Sequence, residues 1–281
     1  MKQATLLLSI DNNQINEFIR MNNGTIVSSS NMLENVNLFE EPNLIVTNLP
    51  ISREKRIRIY TLLKSHNYYV SSLLLHAPLN VILKDTLNAE ERIFNYKFMG
   101  PPRIGVDCDE ITVGNNYHFL KPNTNLDDVL MYSKKYGILK TIKAYIHADY
   151  REELKNIACE HETPYHLESI HEHIDMCIIN SNTQTLQTTA LLHDLGKTVC
   201  KNVGSYKGHD KLSSLYAMMF FNDVEKSTLN NFDIIEIINQ HMQAHKGISE
   251  KVIQESKLNS YILNQIELFK QIDEKSRRTG K

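Results

Sequence analysis

The feature that most limits the fold is a change of periodicity near the middle of the chain. Up to about residue 113, short apolar runs alternate with longer amphipathic ones. Residues 5–9 (TLLLS), 43–47 (NLIVT) and 68–75 (YYVSSLLL) are short, partly β-branched or aromatic, and bounded by polar residues. They read as strands, with weaker candidates at 25–28 and 110–113. Between them, residues 13–21, 53–66 and 79–99 read as helices. Ser52 is placed to cap the second of these, with Pro50 shortly before it. Strands alternating with helices predict a parallel sheet covered on its faces.

Beyond residue 125 the strand grammar stops. Residues 126–136, 151–161, 170–180, 185–195, 211–221, 232–242 and 260–275 all carry helical apolar spacing. The stretch 137–146 (GILKTIKAYI) fits helix and strand equally. The loop 100–110, with two prolines and two glycines, is suited to close the first domain. A chain of 281 residues has room for two ordinary domains. The expected division is an α/β domain over 1–115, a helical connecting region over 116–159 and an all-α bundle over 160–281.

Bulk properties remove several classes. A net charge of −2 and a pI of about 6.6 argue against a strongly basic nucleic-acid wrapper. No secretory leader is visible, and no apolar run approaches the ~20 residues needed to span a bilayer. The four cysteines show no CxxC pairing, which fits a reducing cytoplasm and not a disulfide framework.

Eight of the twelve histidines lie in residues 161–281. Ile170, Ile174, Cys177 and Ile178 form a helical stripe on which His173 sits. Ile234, Ile237 and Ile238 precede His241 on its face, and Ile266 and Phe269 precede Asp273. His193 follows Thr189 and Ala190 in the same way. A buried unpaired carboxylate or imidazolium is costly, so each of these groups needs a partner. One shared cation serves all four, keeping the aspartate ionised and the histidines neutral. In TALLHDLGK, the helix runs into adjacent His193 and Asp194 and stops at Gly196, and Lys197 follows as a point charge suited to a phosphate oxygen. His171 and His245 are expected to face other ways, as surface positions or supports for the ligands. His161 and His166 are expected to be structural.

This pattern resembles the HD phosphohydrolase superfamily, whose signature is H…HD…D with HDxGK around the central pair. The resemblance covers about 120 residues and maps onto His173, His193–Asp194 and Asp273, with His209 and His241 where two-metal members place further ligands. It implies hydrolysis of a phosphomonoester or phosphodiester with one or two divalent ions, with Mn, Fe, Ni, Co and Mg all open. It also implies Asp194 as the residue that bridges the ions and orients the nucleophile. Lys197 and Arg277 would bind the phosphate, with Arg278 as an alternative.

The first half resembles the P-loop kinase domain of polynucleotide-kinase-like proteins, with its phosphate loop missing. Where GxxxxGK[ST] belongs, the chain has SIDNNQINE, without glycine or lysine. Val46 stands before Thr47–Asn48, where such kinases carry an aspartate. A basic cluster, Arg53, Lys55, Arg56 and Arg58, and a lid candidate with Arg92 remain. No ATP binding is expected of this domain. The expected activity is phosphohydrolysis of a nucleotide or of a nucleic-acid end phosphate such as a 2′,3′-cyclic phosphate. The alternative is a binding module with two vestigial sites, engaging a nucleotide or another protein.

Overall fold

The computed structural model describes residues 2–9, 12–33, 36–47, 52–78, 99–114, 117–161, 166–202, 205–224 and 230–278. It divides into two compact units, Met1–Tyr117 and His118–Lys281.

The first unit is a five-stranded sheet in the order β2-β3-β1-β4-β5, every neighbouring pair parallel. Its strands are β1 (Lys2–Ser9), β2 (Thr25–Ser28), β3 (Asn43–Thr47), β4 (Tyr68–Leu75) and β5 (Glu110–Val113). The expected parallel sheet is therefore present, and each expected strand is found, β1 starting three residues earlier. Leu6, Val46 and Val70 are buried on one face with Ile59 and Leu63 of helix α2 (Arg53–Ser65). Leu7, Ile45 and Leu75 pack on the other face with Ile15 and Phe18 of α1 (Asn12–Met21). Ser52 caps α2 as its position predicts, its side chain accepting from the Lys55 N–H. The expected helix at 79–99, with Arg92, falls almost wholly outside the described residues, as do Ile10, Asp11 and Asn48.

Arg56 corrects the reading of a basic cluster. It is 0% exposed, and its Nε donates to Asp107 Oδ2 at 2.8 Å. Its Nη atoms donate to the carbonyls of Met99 at 2.5 Å, Gly100 at 3.3 Å and Pro101 at 3.1 Å. Arg53 Nη2 also donates to the Pro101 carbonyl, at 2.9 Å. Two of the four cations are thus spent on the loop 99–107. Lys55 is exposed, and Arg58 pairs with Glu54 on the surface.

The second unit is mostly helical: α3 (Leu126–Tyr136), α4 (Ile138–Tyr145), α5 (Ala148–Arg151), α6 (Ile170–Asn180), α7 (Gln184–Leu192), α8 (Lys197–Asn202), α9 (His209–Asp223), α10 (Asn231–Ala244), α11 (Glu250–Glu255) and α12 (Ser260–Lys275). Helix α9 is buried almost all round, which marks it as the core element. Helices α10 and α8 pack on it, and α12 packs on α10. From His118 onward the expected connecting region is part of this unit, since α3 and α4 pack against α6.

Two local outcomes have tertiary causes. The ambiguous stretch 137–146 is helix α4. Gly137, at φ 79°, separates it from α3, and Asp175 of α6 accepts from the Ile138 N–H at 2.7 Å. The helix expected over 151–161 is not formed. The chain runs through α5 and a 3₁₀ turn, Lys155–Ala158, before Glu160 bridges to Ser169 and Ile170 N–H donates to the Cys159 carbonyl at 3.2 Å. That bridge replaces the last helical turn and brings His161 beside the start of α6.

Candidate metal centre

Five helical positions converge on Asp194, which is 1% exposed. His173 comes from the middle of α6. A capping box fixes the start of that helix, with Ser169 and Glu172 each bonding the other's backbone N–H. His193 and Asp194 end α7, His209 opens α9, His241 lies in the last turn of α10, and Asp273 lies near the end of α12. All six sequence-expected ligands are buried and brought together. The turn after α7 explains the glycine of the HDLGK motif. A Cβ on Gly196 would stand 2.5 Å from the His209 carbonyl oxygen and 2.9 Å from the Ser213 nitrogen. Gly196 N–H donates to Ser213 Oγ at 2.9 Å. Only a residue without a side chain lets this turn dock on the start of α9, and that docking delivers Asp194 to His209.

The histidine tautomers are set from behind. Nδ1 of His193 lies 2.8 Å from the Ala190 carbonyl oxygen, Nδ1 of His209 lies 2.7 Å from that of Tyr206, and Nδ1 of His241 lies 2.7 Å from that of Ile238. A carbonyl only accepts, so the proton sits on Nδ1 and each Nε2 presents a lone pair. For His173, Glu168 Oε1 lies 3.4 Å from Nδ1 without a hydrogen bond, and it is Nε2 that meets Asp273 Oδ1, at 2.9 Å.

The lone pairs then face one another. His209 Nε2 and His241 Nε2 are 3.2 Å apart. Asp194 Oδ1 is 3.2 Å from the first and 3.9 Å from the second. Asp194 Oδ2 is 3.3 Å from His193 Nε2 and 3.8 Å from His173 Nε2, and Asp273 Oδ1 is 2.9 Å from His173 Nε2. No hydrogen bond reaches His193 Nε2 or Asp194 Oδ1, both buried, while Asp194 Oδ2 is paired with the Lys197 ammonium at 2.6 Å. Orphaned buried acceptors are rare and costly. Ligand atoms sharing one ion at about 2.0–2.3 Å stand roughly 2.9–3.6 Å apart, for bond angles between octahedral and tetrahedral. Most of these separations fall in that range. Among the described residues there are three groups of donor atoms whose members all lie within 4.8 Å of one another: His173, Cys177, His193 and Asp273; Asp194, His209 and His241; and, away from Asp194, His161, His166 and Glu168. The residues therefore fit a pair of divalent ions, with one Asp194 oxygen toward each of the first two groups.

Electrostatics agree with an anionic, cation-seeking floor. Burial opposes ionisation of Asp194, yet His193, Lys197 and His209 hold its pKa well below the usual carboxylate range. Burial likewise opposes Asp273, and bonds from His173 and His245 more than offset it. Burial drives His241 down to about 3, so it stays neutral and ligand-ready. Burial also works against protonation of His173, but Cys177, Asp273 and Glu168 around it raise its pKa overall.

Above this floor opens a cavity of about 390 Å³ whose lining includes the cations Lys197, Arg277 and Lys246 and the histidines His161, His166 and His245. Lys197 Nζ is 2.6 Å from Asp194 Oδ2 and donates to His161 Nε2 at 3.1 Å. Arg277 Nη2 donates to Asp273 Oδ2 at 2.7 Å. Arg278 instead turns toward Glu172 and is exposed.

Three histidines depart from expectation. His245 faces the site, with Nε2 2.7 Å from Asp273 Oδ2. It follows His241 by four residues and so shares its face, a signal the sequence carried. His161 and His166 line the cavity, stacked with ring centroids 4.1 Å apart, and His166 Nδ1 is 2.6 Å from Glu168 Oε1. They sit on a non-helical stretch, so no periodicity points to them. His171 binds Ser169 Oγ at the start of α6 and does not line the cavity.

No family model, curated protein or solved structure matches the chain.

Proposed function

We propose that the helical unit is a metal-dependent phosphohydrolase of the HD type, acting on a nucleotide or a nucleic-acid end phosphate. The observation that carries this reading is the pair of buried acceptors without a hydrogen bond, His193 Nε2 and Asp194 Oδ1, at the junction of two ligand groups. Divalent ions bound there would supply Lewis acidity to a phosphoryl group and acidify a water.

The chain's own residues do the rest. Asp194 is shared between the two groups and fixes their spacing. The Nδ1 contacts of His193, His209 and His241 hold those rings in place. Lys197 and Arg277 put fixed positive charge beside the floor, where a phosphate's oxygens would lie. A cavity of about 390 Å³ falls in the size range of small-molecule sites and suits a mononucleotide or the end of a strand. The choice of nucleic-acid chemistry comes from the accompanying parallel-sheet unit, whose sequence resembles an end-processing kinase without its phosphate loop.

The test is elemental analysis of the purified full chain together with hydrolysis of bis-p-nitrophenyl phosphate. Bound divalent metal, and metal-dependent hydrolysis lost in Asp194→Ala, is the expected result. The loss should exceed about 100-fold, the upper end of what removing a mere supporting residue costs. Absence of bound metal after supplementation with Mn or Ni would instead favour a binding module. Hydrolysis that persists in Asp194→Ala would place the chemistry elsewhere.

A further inference from the structure

We propose that Cys177 is a further metal ligand, making the His173–Asp273 half of the centre selective for a thiophilic divalent ion such as Zn²⁺ or Co²⁺. The inference rests on the reading of the cavity floor as a metal centre. Cys177 follows His173 by four residues on α6, so both side chains project from one face of the helix toward the floor. Its Sγ lies 3.6 Å from His173 Nε2. An ion bonded to nitrogen at about 2.0–2.1 Å and to sulfur at about 2.3 Å, at a tetrahedral angle, separates the two by roughly 3.6 Å. Cys177 Sγ also falls within 4.8 Å of donor atoms of His193 and Asp273, and His193 Nε2 is a buried nitrogen with no hydrogen bond.

The donor set is then two imidazoles, the Asp273 carboxylate and a sulfur, with the shared Asp194 oxygen beside them. A sulfur and two imidazoles suit a borderline-soft ion, whereas Mg²⁺ and Mn²⁺ prefer oxygen. The second group, Asp194, His209 and His241, has no sulfur, so the two halves differ in the ions they favour. Cys177 is fully buried, and burial raises its pKa, so without an ion it is a thiol. Binding replaces the S–H bond by a sulfur–metal bond and releases the proton to solvent, with no change of oxidation state.

Cobalt gives the test. The metal-free full chain is loaded with Co²⁺, cobalt is counted by elemental analysis, and the near-ultraviolet thiolate-to-cobalt charge-transfer band is recorded. The band is expected in the wild type and in the triple variant Cys108→Ser, Cys159→Ser, Cys200→Ser. It should vanish in Cys177→Ser, with cobalt bound roughly tenfold more weakly or worse. Stoichiometric cobalt without a band, or a band unchanged in Cys177→Ser, overturns the assignment and leaves the metal centre standing. Failure to bind cobalt at all overturns both. If Cys177→Ser does not fold, X-ray absorption on the wild-type cobalt or zinc protein decides. One sulfur neighbour at about 2.3 Å supports the assignment, and a shell of nitrogen and oxygen alone overturns it.

Discussion

Each unit of the protein buries charge, and the two do so with opposite results. In the first unit, Arg56 and Asp107 complete each other. The guanidinium reaches one carboxylate and three carbonyls, and Asp107 Oδ1 takes the Arg103 N–H at 2.7 Å. In the second unit, Asp194 pairs with Lys197 through one oxygen only, and its other oxygen faces the Nε2 atoms of His209 and His241 with no hydrogen bond. A closed network of buried charge shapes a loop. An open one leaves room for a cation, and that difference separates scaffold from site.

The largest effect should come from filling and emptying the open network. An ion that binds only the folded state at a free concentration ~1,000 times its Kd stabilises that state by about 4 kcal/mol. Chelation should therefore lower the melting transition of the helical unit and leave that of the sheet unit in place. Calorimetry of the full chain, with and without metal, measures this. Equal shifts of both transitions would break the contrast.

Next is the closed network. Removing one partner of a buried ion pair costs about 3–5 kcal/mol, because the other charge is left uncompensated. Arg56→Met is expected to cost that much in chemical denaturation of the sheet unit, with the metal content of the protein unchanged. The double variant Arg56→Met, Asp107→Leu should recover a large part of the loss. If the single variant is neutral, the pair does not fix the loop.

These two networks also show where the sequence is readable. Apolar spacing placed the strands, most helices and four of the six expected ligands, His173, His193, His241 and Asp273, because a ligand carried on a helix inherits the periodicity of its face; Asp194 and His209 were expected from the resemblance alone. It assigned Arg56 to a surface cluster, since its acceptors lie more than forty residues away and leave no local trace. It missed the cavity roles of His161 and His166 because a bridge between Glu160 and Ser169, not a helix, positions them. The helix over 151–161 had adequate local spacing and lost to that bridge. His245 takes the supporting role expected of it, bonding Asp273, but it faces the site, as its four-residue spacing from His241 implies.

A smaller effect is shared by both units. Burial drives His76 of the sheet unit and His161 of the helical unit down to about 3, so both are neutral when folded. Unfolded histidine titrates near ~6.5. As pH falls below that value, the unfolded chain takes up protons that the folded chain refuses, so stability falls. The slope is about 1.4 kcal/mol per pH unit for each such histidine, and it ends as pH passes the folded value. Urea titrations between pH 7 and pH 4 on the metal-free protein should show both units weakening with falling pH. A flat profile in the sheet unit would mean that His76 titrates normally.

The smallest effect discriminates most finely. Ser52 caps α2, and Ser169 caps α6. Replacing either by alanine should cost about 1 kcal/mol in its own unit. The consequences beyond stability should differ. Helix α2 carries Arg56 and no ligand, so Ser52→Ala should leave metal affinity untouched. Helix α6 carries His173 one turn after its cap, and Ser169 also binds Glu172 and His171. Fraying that turn frees the His173 ring and loosens its approach to Glu168, so Ser169→Ala should weaken metal binding as well as stability. Titration of the two variants with Co²⁺ measures it. Equal affinities would mean that packing alone, through Ile170, Ile174 and Ile178, holds His173 in register, and that the cap serves only the helix.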